Sequence, residues 1–245
     1  MLVGALSVLP SGEIFLSPDP AGSDRFAMNV PAIAATALLA YLMGSIPVGF
    51  LAGKLCGVDL REAGSGNIGA TNALRVLGKK WGYAVFLFDF LKGFLAVRAG
   101  LWIGAGSPDL AIYLGMLAGV FVVLGHNFPV WLGFRGGKGI ATSGGLMLGL
   151  FPPAVFLAGL VAWIITFFTT RYVSVASLAA AISFPISSGI LSALGMCHPA
   201  LVVVGTLLCV LAVARHIPNI RRLAAGTEKR FESKKKNSQP PGAAA

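Results

Sequence analysis

The sequence predicts an all-α integral membrane protein: a bundle of about seven transmembrane helices, with the N-terminus outside and the C-terminus in the cytoplasm. Three observations predict it. Of the 245 residues, 56% are hydrophobic and only 11% are charged, and mean hydropathy is +0.81. That leaves too few charges to coat the outer faces of a soluble helical protein. Apolar runs near the length of a bilayer-spanning helix, about 20 residues, recur along the chain. The positive charges fall on alternate loops, and loops rich in Lys and Arg stay in the cytoplasm.

Residues 1–30 read as a loose extension. The stretch "SGEIFLSPDPAGSD" is polar and contains Pro and Gly, and no basic segment precedes an apolar core as in a secretory signal. Met28 stands just before the first convincing span and is a candidate start. Spans then run near Pro31–Gly53, Trp81–Ile103, Leu110–Trp131, Ile140–Leu150, Ala154–Phe168, Val175–Leu194 and Ala200–Ala214. A polar, glycine-rich segment, Leu60–Lys80, separates the first two. The piece Ile140–Leu150, ended by Pro152 and Pro153, is too short to cross unaided; it either begins within the preceding loop or crosses a thinned bilayer. Counting it as a span puts Lys54, Arg61, Arg75, Lys79, Lys80, Arg135, Lys138, Arg171 and the basic tail on one side, with only Arg25 opposite. Without it Arg171 and the tail switch sides and the asymmetry collapses. The membrane domain thus occupies 31–222, and 223–245 is a basic cytoplasmic tail with a disordered end.

The net charge of +10 speaks of topology and anionic partners, not of nucleic acid. Cys56, Cys197 and Cys209 form no CxxC pair, and no metal-ligand cluster is visible, so neither a metal nor another cofactor is implied.

Three polar segments abut spans on the cytoplasmic side: "GSGNIGATNALR", "GFRGGKG" and "RHIPNIRRLAAGTE". They offer Ser65, Asn67, Thr71, Asn72, Arg75, Gly136, Gly137, Lys138, Gly139, His216 and Asn219. Glycine backbone frees N–H groups to converge on an anion, Arg supplies a bidentate fork and Lys a compact charge. That set suits a phosphate at a membrane surface. It is not a nucleotide-binding P-loop: Leu132 stands where the first glycine belongs, and Gly139 follows Lys138 where Ser or Thr is needed. Nor does any histidine have an Asp five residues on, as in acyl-CoA-dependent glycerolipid acyltransferases, since Trp131, Val203 and Arg221 stand there after His126, His198 and His216. His216 is the preferred acid–base candidate because Asn219 and Arg222 follow it at i+3 and i+6 on one helical face. Asp89 and Lys92 lie one turn apart inside the second span, where charges pair or face a polar cavity. Asp89 is on the order of 12 Å along the helix from Trp81, which suits support beneath a surface site. Glu228 either pairs with a motif arginine or is a solvated tail residue.

In this order the three segments resemble the bacterial acyl-phosphate:glycerol-3-phosphate acyltransferases of the PlsY type. "GSGNIGATNALRVLG" is similar to that family's first motif, "FRGGKGIAT" to its second and "RHIPNIRRLAAGTE" to its third, with "DFLKG" and "GHNFPVW" between them. The resemblance runs from about Met28 to Glu228. It implies an enzyme of the bacterial inner membrane with its active site facing the cytoplasm, performing the first step of phospholipid biosynthesis. A fatty acyl group passes from acyl phosphate to the 1-hydroxyl of glycerol 3-phosphate, giving lysophosphatidate and phosphate without an acyl-enzyme. It implies that Ser65 and Arg75 are the essential pair of the first motif. It further implies that Gly136, Gly137 and Lys138 form the glycerol-3-phosphate loop, that His216 and Asn219 act in the third motif, and that Glu228 supports that motif's loop. Functional coupling to the enzyme that forms acyl phosphate is a further implied partnership. A transporter of small phosphorylated anions is the competing reading; it predicts midplane sites and internal repeats, and no inverted repeat is visible.

Overall fold

The structure, a computed structural model, describes residues 6–8, 14–16 and 20–231, with side chains from Val30 onward. The end of the tail, with its Lys234–Lys236 cluster, lies outside the described residues. Within the segment read as a loose extension, two short apolar strands, β1 (Leu6–Val8) and β2 (Ile14–Leu16), pair antiparallel with Val8 opposite Ile14. All other regular structure among the described residues is helical.

Helix α1 (Pro20–Ser45) starts ahead of the apolar run, with Pro20 at a first position where a missing N–H costs nothing. A break at Ile46–Pro47 separates it from α2 (Val48–Leu55). The polar segment after α2 contains α3 (Ala70–Leu77), followed at once by α4 (Lys79–Ile103) and then α5 (Pro108–Asn127). A 3-10 turn, Val130–Leu132, leads through the glycine-rich loop to α6 (Ile140–Leu150). Then follow α7 (Pro153–Thr170), α8 (Val173–Ala193) and α9 (Pro199–Ala224). Five stretches among the described residues are long and apolar enough to cross a bilayer: Val30–Leu55, Pro108–Leu132, Pro153–Thr170, Val173–Ala193 and Pro199–Ala224. Helix α4 has the length but carries Asp89, Lys92 and Arg98, and α6 is apolar but only 11 residues long.

Leu39, Phe88, Leu157, Ile165, Ile190 and Val210 are exposed, whereas Asn72, Asp89, Asn127, Thr142, His216 and Asn219 are buried. This inside-out distribution fits a lipid solvent: hydrocarbon gives apolar side chains no reason to leave the surface, and polar groups must find partners within. Helices then approach closely where side chains are small. Helix α4 packs on α6 with the Gly93 backbone against the Thr142 carbonyl and Gly145 against the Phe90 carbonyl. Helix α1 packs on α5 through Gly44 and Gly125 in the same way. These contacts hold the short α6 in the bundle by backbone apposition rather than by length.

The sequence placed the end of the last span at Ala214, but α9 continues to Ala224 through Pro218. Apolar patterning stops at Arg215 while the helix does not, because His216 and Asn219 are buried on its inner face. Pro218 merely omits one N–H donor from the ladder.

Candidate active site

The three polar segments meet at one end of the bundle around a cavity of about 350 Å³. In the first, Arg61 pairs with Asp59 at 2.6 Å and its hydrogen bonds hold that carboxyl down to about 2. Asn72 organises the loop. Its Oδ1 accepts the Ser65 N–H (2.8 Å), and its Nδ2 donates to the carbonyls of Leu60 (3.1 Å) and Ala63 (2.9 Å). Asn67 Oδ1 accepts the Gly69 N–H at 2.7 Å just ahead of α3. Asn67 and Asn72 thus line the cavity, with both ends of the Asn72 amide and the Oδ1 of Asn67 engaged in building its wall. Ser65, Thr71 and Arg75 also line it, and their side chains make no hydrogen bond among the described residues. The N–H groups of Asn72 and Ala73 both return to the Gly69 carbonyl, so those of Ala70 and Thr71 remain available at the cavity wall.

The second segment departs from the simplest phosphate-loop picture. The N–H groups of Gly136 and Gly137 point inward to the carbonyls of Asn127 and His126, both at 3.1 Å. Their own carbonyls accept from Arg215: Nη2 reaches Gly136 O at 2.9 Å, while Nε (3.1 Å) and Nη2 (2.9 Å) reach Gly137 O. Neither glycine lines the cavity, and a Cβ on either would strike residue His126. These two glycines therefore serve close packing. Lys138 and Gly139 do line the cavity, together with Ile140 and Ala141 of the first turn of α6. Gly139, at φ +78°, turns the chain into that helix, and its carbonyl receives the Ser143 N–H at 2.7 Å. The α6 N-terminus is thus aimed at the cavity, with the dipole sign that favours an anion.

In the third segment, His216 is 2% exposed, and its Nδ1 lies 2.8 Å from the Ala212 carbonyl. A carbonyl can only accept, so Nδ1 carries the hydrogen and Nε2 of the neutral ring keeps its lone pair. Lys138 Nζ donates to Asn219 Oδ1. Asn219 Nδ2 donates to Glu228 Oε1 (2.6 Å), which also accepts from Ser174 Oγ (2.8 Å). Glu228 Oε2 accepts from Arg222 Nε at 2.7 Å. The orientation of the Asn219 amide follows from its neighbours, since an ammonium only donates and a carboxylate only accepts. Burial pushes the Lys138 amine down to about 8; Glu228 opposes this, while Arg222, Arg215 and Arg75 add to it. Burial raises the Glu228 carboxyl, but hydrogen bonds from Asn219, Arg222 and Ser174 outweigh it and hold the group below its ordinary value. Glu228 therefore pairs with a motif arginine, and the segment beyond it docks on the α7–α8 turn, where the Phe231 N–H reaches the Arg171 carbonyl at 2.8 Å.

Asp89 and Lys92 form a buried pair at 2.8 Å below the site. Lys92 also donates to the carbonyls of Gly44 (3.0 Å) and Ile46 (3.2 Å), capping the break after α1. Asp89 Oδ1 lies 3.4 Å from Nδ1 of His126, which in turn is 3.2 Å from Thr142 Oγ1.

All the residues singled out from the sequence gather here except that Gly136, Gly137 and Lys92 sit behind the cavity wall. Sequence reasoning missed Arg215, His126 and Ser174. Arg215 abuts His216 and His126 lies in "GHNFPVW", so both had a positional signal; Ser174, in the first turn of α8 and far from the motifs in sequence, had none.

The chain is similar to known proteins over most of its length. A family model described as glycerol-3-phosphate acyltransferase matches residues 34–226. A glycerol-3-phosphate acyltransferase of Agrobacterium fabrum is 45% identical over 205 residues, covering 82% of this chain and 93% of the relative. One from Bradyrhizobium sp. is 47% identical over 199 residues, covering 81% and 94%. Among solved structures, the glycerol 3-phosphate form of PlsY (YgiH), an integral membrane glycerol 3-phosphate acyltransferase, superposes with a TM-score of 0.74 at 39% identity. It covers 82% of this chain and 96% of that one. The lysophosphatidic acid form gives a TM-score of 0.72 at 38% identity, with the same coverage.

Proposed function

From the premise that this chain belongs to the glycerol-3-phosphate acyltransferase family, PlsY type, we propose that it moves a fatty acyl group from acyl phosphate to the 1-hydroxyl of glycerol 3-phosphate. The observation that carries this reading is the convergence on one cavity of Lys138, Arg75, the free N–H groups opening α3 and α6, and the Nε2 side of His216. Two phosphates meet in the reaction, and the site's work is to hold them close, screen their repulsion and aim one hydroxyl. Lys138 and the α6 N-terminus bind the phosphate of glycerol 3-phosphate. Arg75, Ser65 and the start of α3 hold the phosphate of the donor. The hydroxyl oxygen attacks the acyl carbon, the new ester C–O bond forms, and the C–O bond to phosphate breaks. His216 Nε2 takes the hydroxyl proton and returns it to the departing phosphate, so the ring ends neutral. An acyl phosphate is already activated, so no acyl-enzyme is needed.

Phe86 and Trp163 give the cavity an apolar side toward the bilayer, which suits the acyl chain and the sideways exit of lysophosphatidate. Helix α6 leaves the cavity end and α7 runs back toward it, where α8 begins at Val173, as two crossing segments would. With the α1–α2 run, interrupted at Ile46–Pro47, and α4, α5, α8 and α9, this reading gives seven crossings. The distribution of basic loops supports a site on the cytoplasmic face of the bacterial inner membrane, with the N-terminus outside. The lability of the donor favours functional coupling to the enzyme that makes it. Transport of phosphorylated anions is the weaker reading, since the polar groups gather at one end of the bundle rather than at mid-depth. The test is purified protein in lipid with palmitoyl phosphate and glycerol 3-phosphate, following phosphate and lysophosphatidate. Folded protein that releases neither product refutes the proposal, and glycerol 3-phosphate uptake into liposomes supports transport instead.

A further inference from the structure

We infer that Arg215 is a positioning residue that sets Lys138 against the glycerol 3-phosphate phosphate; the inference rests on the acyltransferase reading above. Lys138 follows directly on the two glycines whose backbone is fully committed. Their N–H groups are tied to the end of α5 and their carbonyls to the Arg215 guanidinium on α9. Arg215 does not line the cavity. It is half-buried, its Nε and Nη2 are spent on the two glycine carbonyls, and its Cζ lies over the Phe128 ring, 5.2 Å from the centroid. A planar fork fits two adjacent carbonyls in a way that a single ammonium cannot.

The clamp joins the two elements that Lys138 itself bridges. Lys138 extends from the glycine loop to Asn219, one turn after Arg215 on α9. The loop is held to α9 on one side of Lys138 by Arg215 and through Lys138 by Asn219. Below it, the His126 ring fills the space under Gly137, so the loop cannot sink to compensate for a lost clamp. Removing the clamp therefore moves the base of the lysine side chain relative to the α6 N-terminus, and the two anion-binding groups fall out of register.

The experiment is a double-mutant cycle in the purified protein, with steady-state rates on palmitoyl phosphate and glycerol 3-phosphate. Arg215→Met is expected to raise KM for glycerol 3-phosphate about tenfold, in the range for misplacing a binding group, with kcat and KM for palmitoyl phosphate within about threefold. In the Lys138→Ala background the same substitution is expected to change KM by less than about twofold, because the residue it positions is gone. Arg215→Lys keeps the charge but reaches one carbonyl at a time, so KM should fall between the wild type and Arg215→Met. Additive effects in the cycle, a rise in both KM values, or full rescue by Arg215→Lys would each overturn the assignment. Should Arg215→Met fail to fold by thermal unfolding, Arg215→Gln and Arg215→Lys carry the same cycle. A wild-type sample without turnover refutes the acyltransferase reading itself, whereas turnover with an additive cycle refutes only the role of Arg215.

Discussion

Glu228→Gln isolates one negative charge at nearly constant shape. The carboxylate accepts three hydrogen bonds, from Ser174 (2.8 Å), Asn219 (2.6 Å) and Arg222 (2.7 Å). The substituted side chain retains one carbonyl oxygen, which still serves Ser174 and Asn219 from the same position. Its amide NH₂ then faces the Arg222 guanidinium, donor against donor. The net loss is one charge-assisted hydrogen bond, worth about 1.5–3 kcal/mol. The Arg222 side chain is 40% exposed and that of Glu228 10%, so solvent screens part of this and about 2 kcal/mol is appropriate. That corresponds to roughly a 30-fold loss in kcat/KM for glycerol 3-phosphate, transmitted through Asn219 to Lys138. The assay is phosphate release at subsaturating glycerol 3-phosphate, with thermal unfolding as the control. Activity within about twofold of wild type would refute the idea that this carboxylate holds Asn219 and Lys138 in order. The opposite sign test is Arg222→Gln with Glu228→Gln, where the donor–donor conflict is relieved and part of the loss should return.

Three further outcomes follow from the geometry. Because burial holds Lys138 near 8, the amine of the free enzyme loses its charge as pH rises through about 8. KM for glycerol 3-phosphate should then be flat between about pH 7 and 8, where the substrate's own second ionisation, at about 6, is already largely complete, and climb about tenfold per unit above that window. A flat KM up to pH 9.5 (roughly one and a half units above the amine) excludes Lys138 as the charged ligand. Gly145→Ala should lower the unfolding temperature in detergent, with a cost of about 1–3 kcal/mol for forcing a Cβ onto the Phe90 carbonyl. Gly144→Ala, whose Cβ would rest 3.5 Å from the Phe90 ring, should be close to neutral; equal effects would refute the close α4–α6 apposition. Asp89→Asn should destabilise by about 3–5 kcal/mol by leaving Lys92 buried without its counter-charge, while Asp89→Leu with Lys92→Met should recover much of that; denaturation of the single and double variants decides it.

How far the sequence carried differs from element to element. The short helix was legible residue for residue, Ile140–Leu150, because a Gly-rich loop and Pro152–Pro153 bracket an apolar run. The end of α9 was not, because hydropathy marks where a helix leaves hydrocarbon and not where its hydrogen-bond ladder stops. The pairing of Asp89 with Lys92 could be read from i,i+3 spacing. Lys92 capping the break after α1 could not, since its carbonyl partners lie more than forty residues earlier. The glycines of "GFRGGKG" marked a place where backbone matters, but the direction of their N–H groups depends on α5 and Arg215, which no local pattern encodes.

By itself, the sequence determined the membrane environment, the order and approximate limits of the apolar spans and most of the polar residues that gather at the candidate cavity. Hydrophobicity and charge spacing act locally, and the bilayer reads them one segment at a time. Tertiary structure alone decided which glycines face the cavity and which pack against His126, that Nε2 of His216 is the free nitrogen, and that Glu228 orients Asn219. Each of these is a choice of hydrogen-bond partner. Inside a low-dielectric bundle that choice is made among whatever donors and acceptors the helix packing brings within about 3 Å.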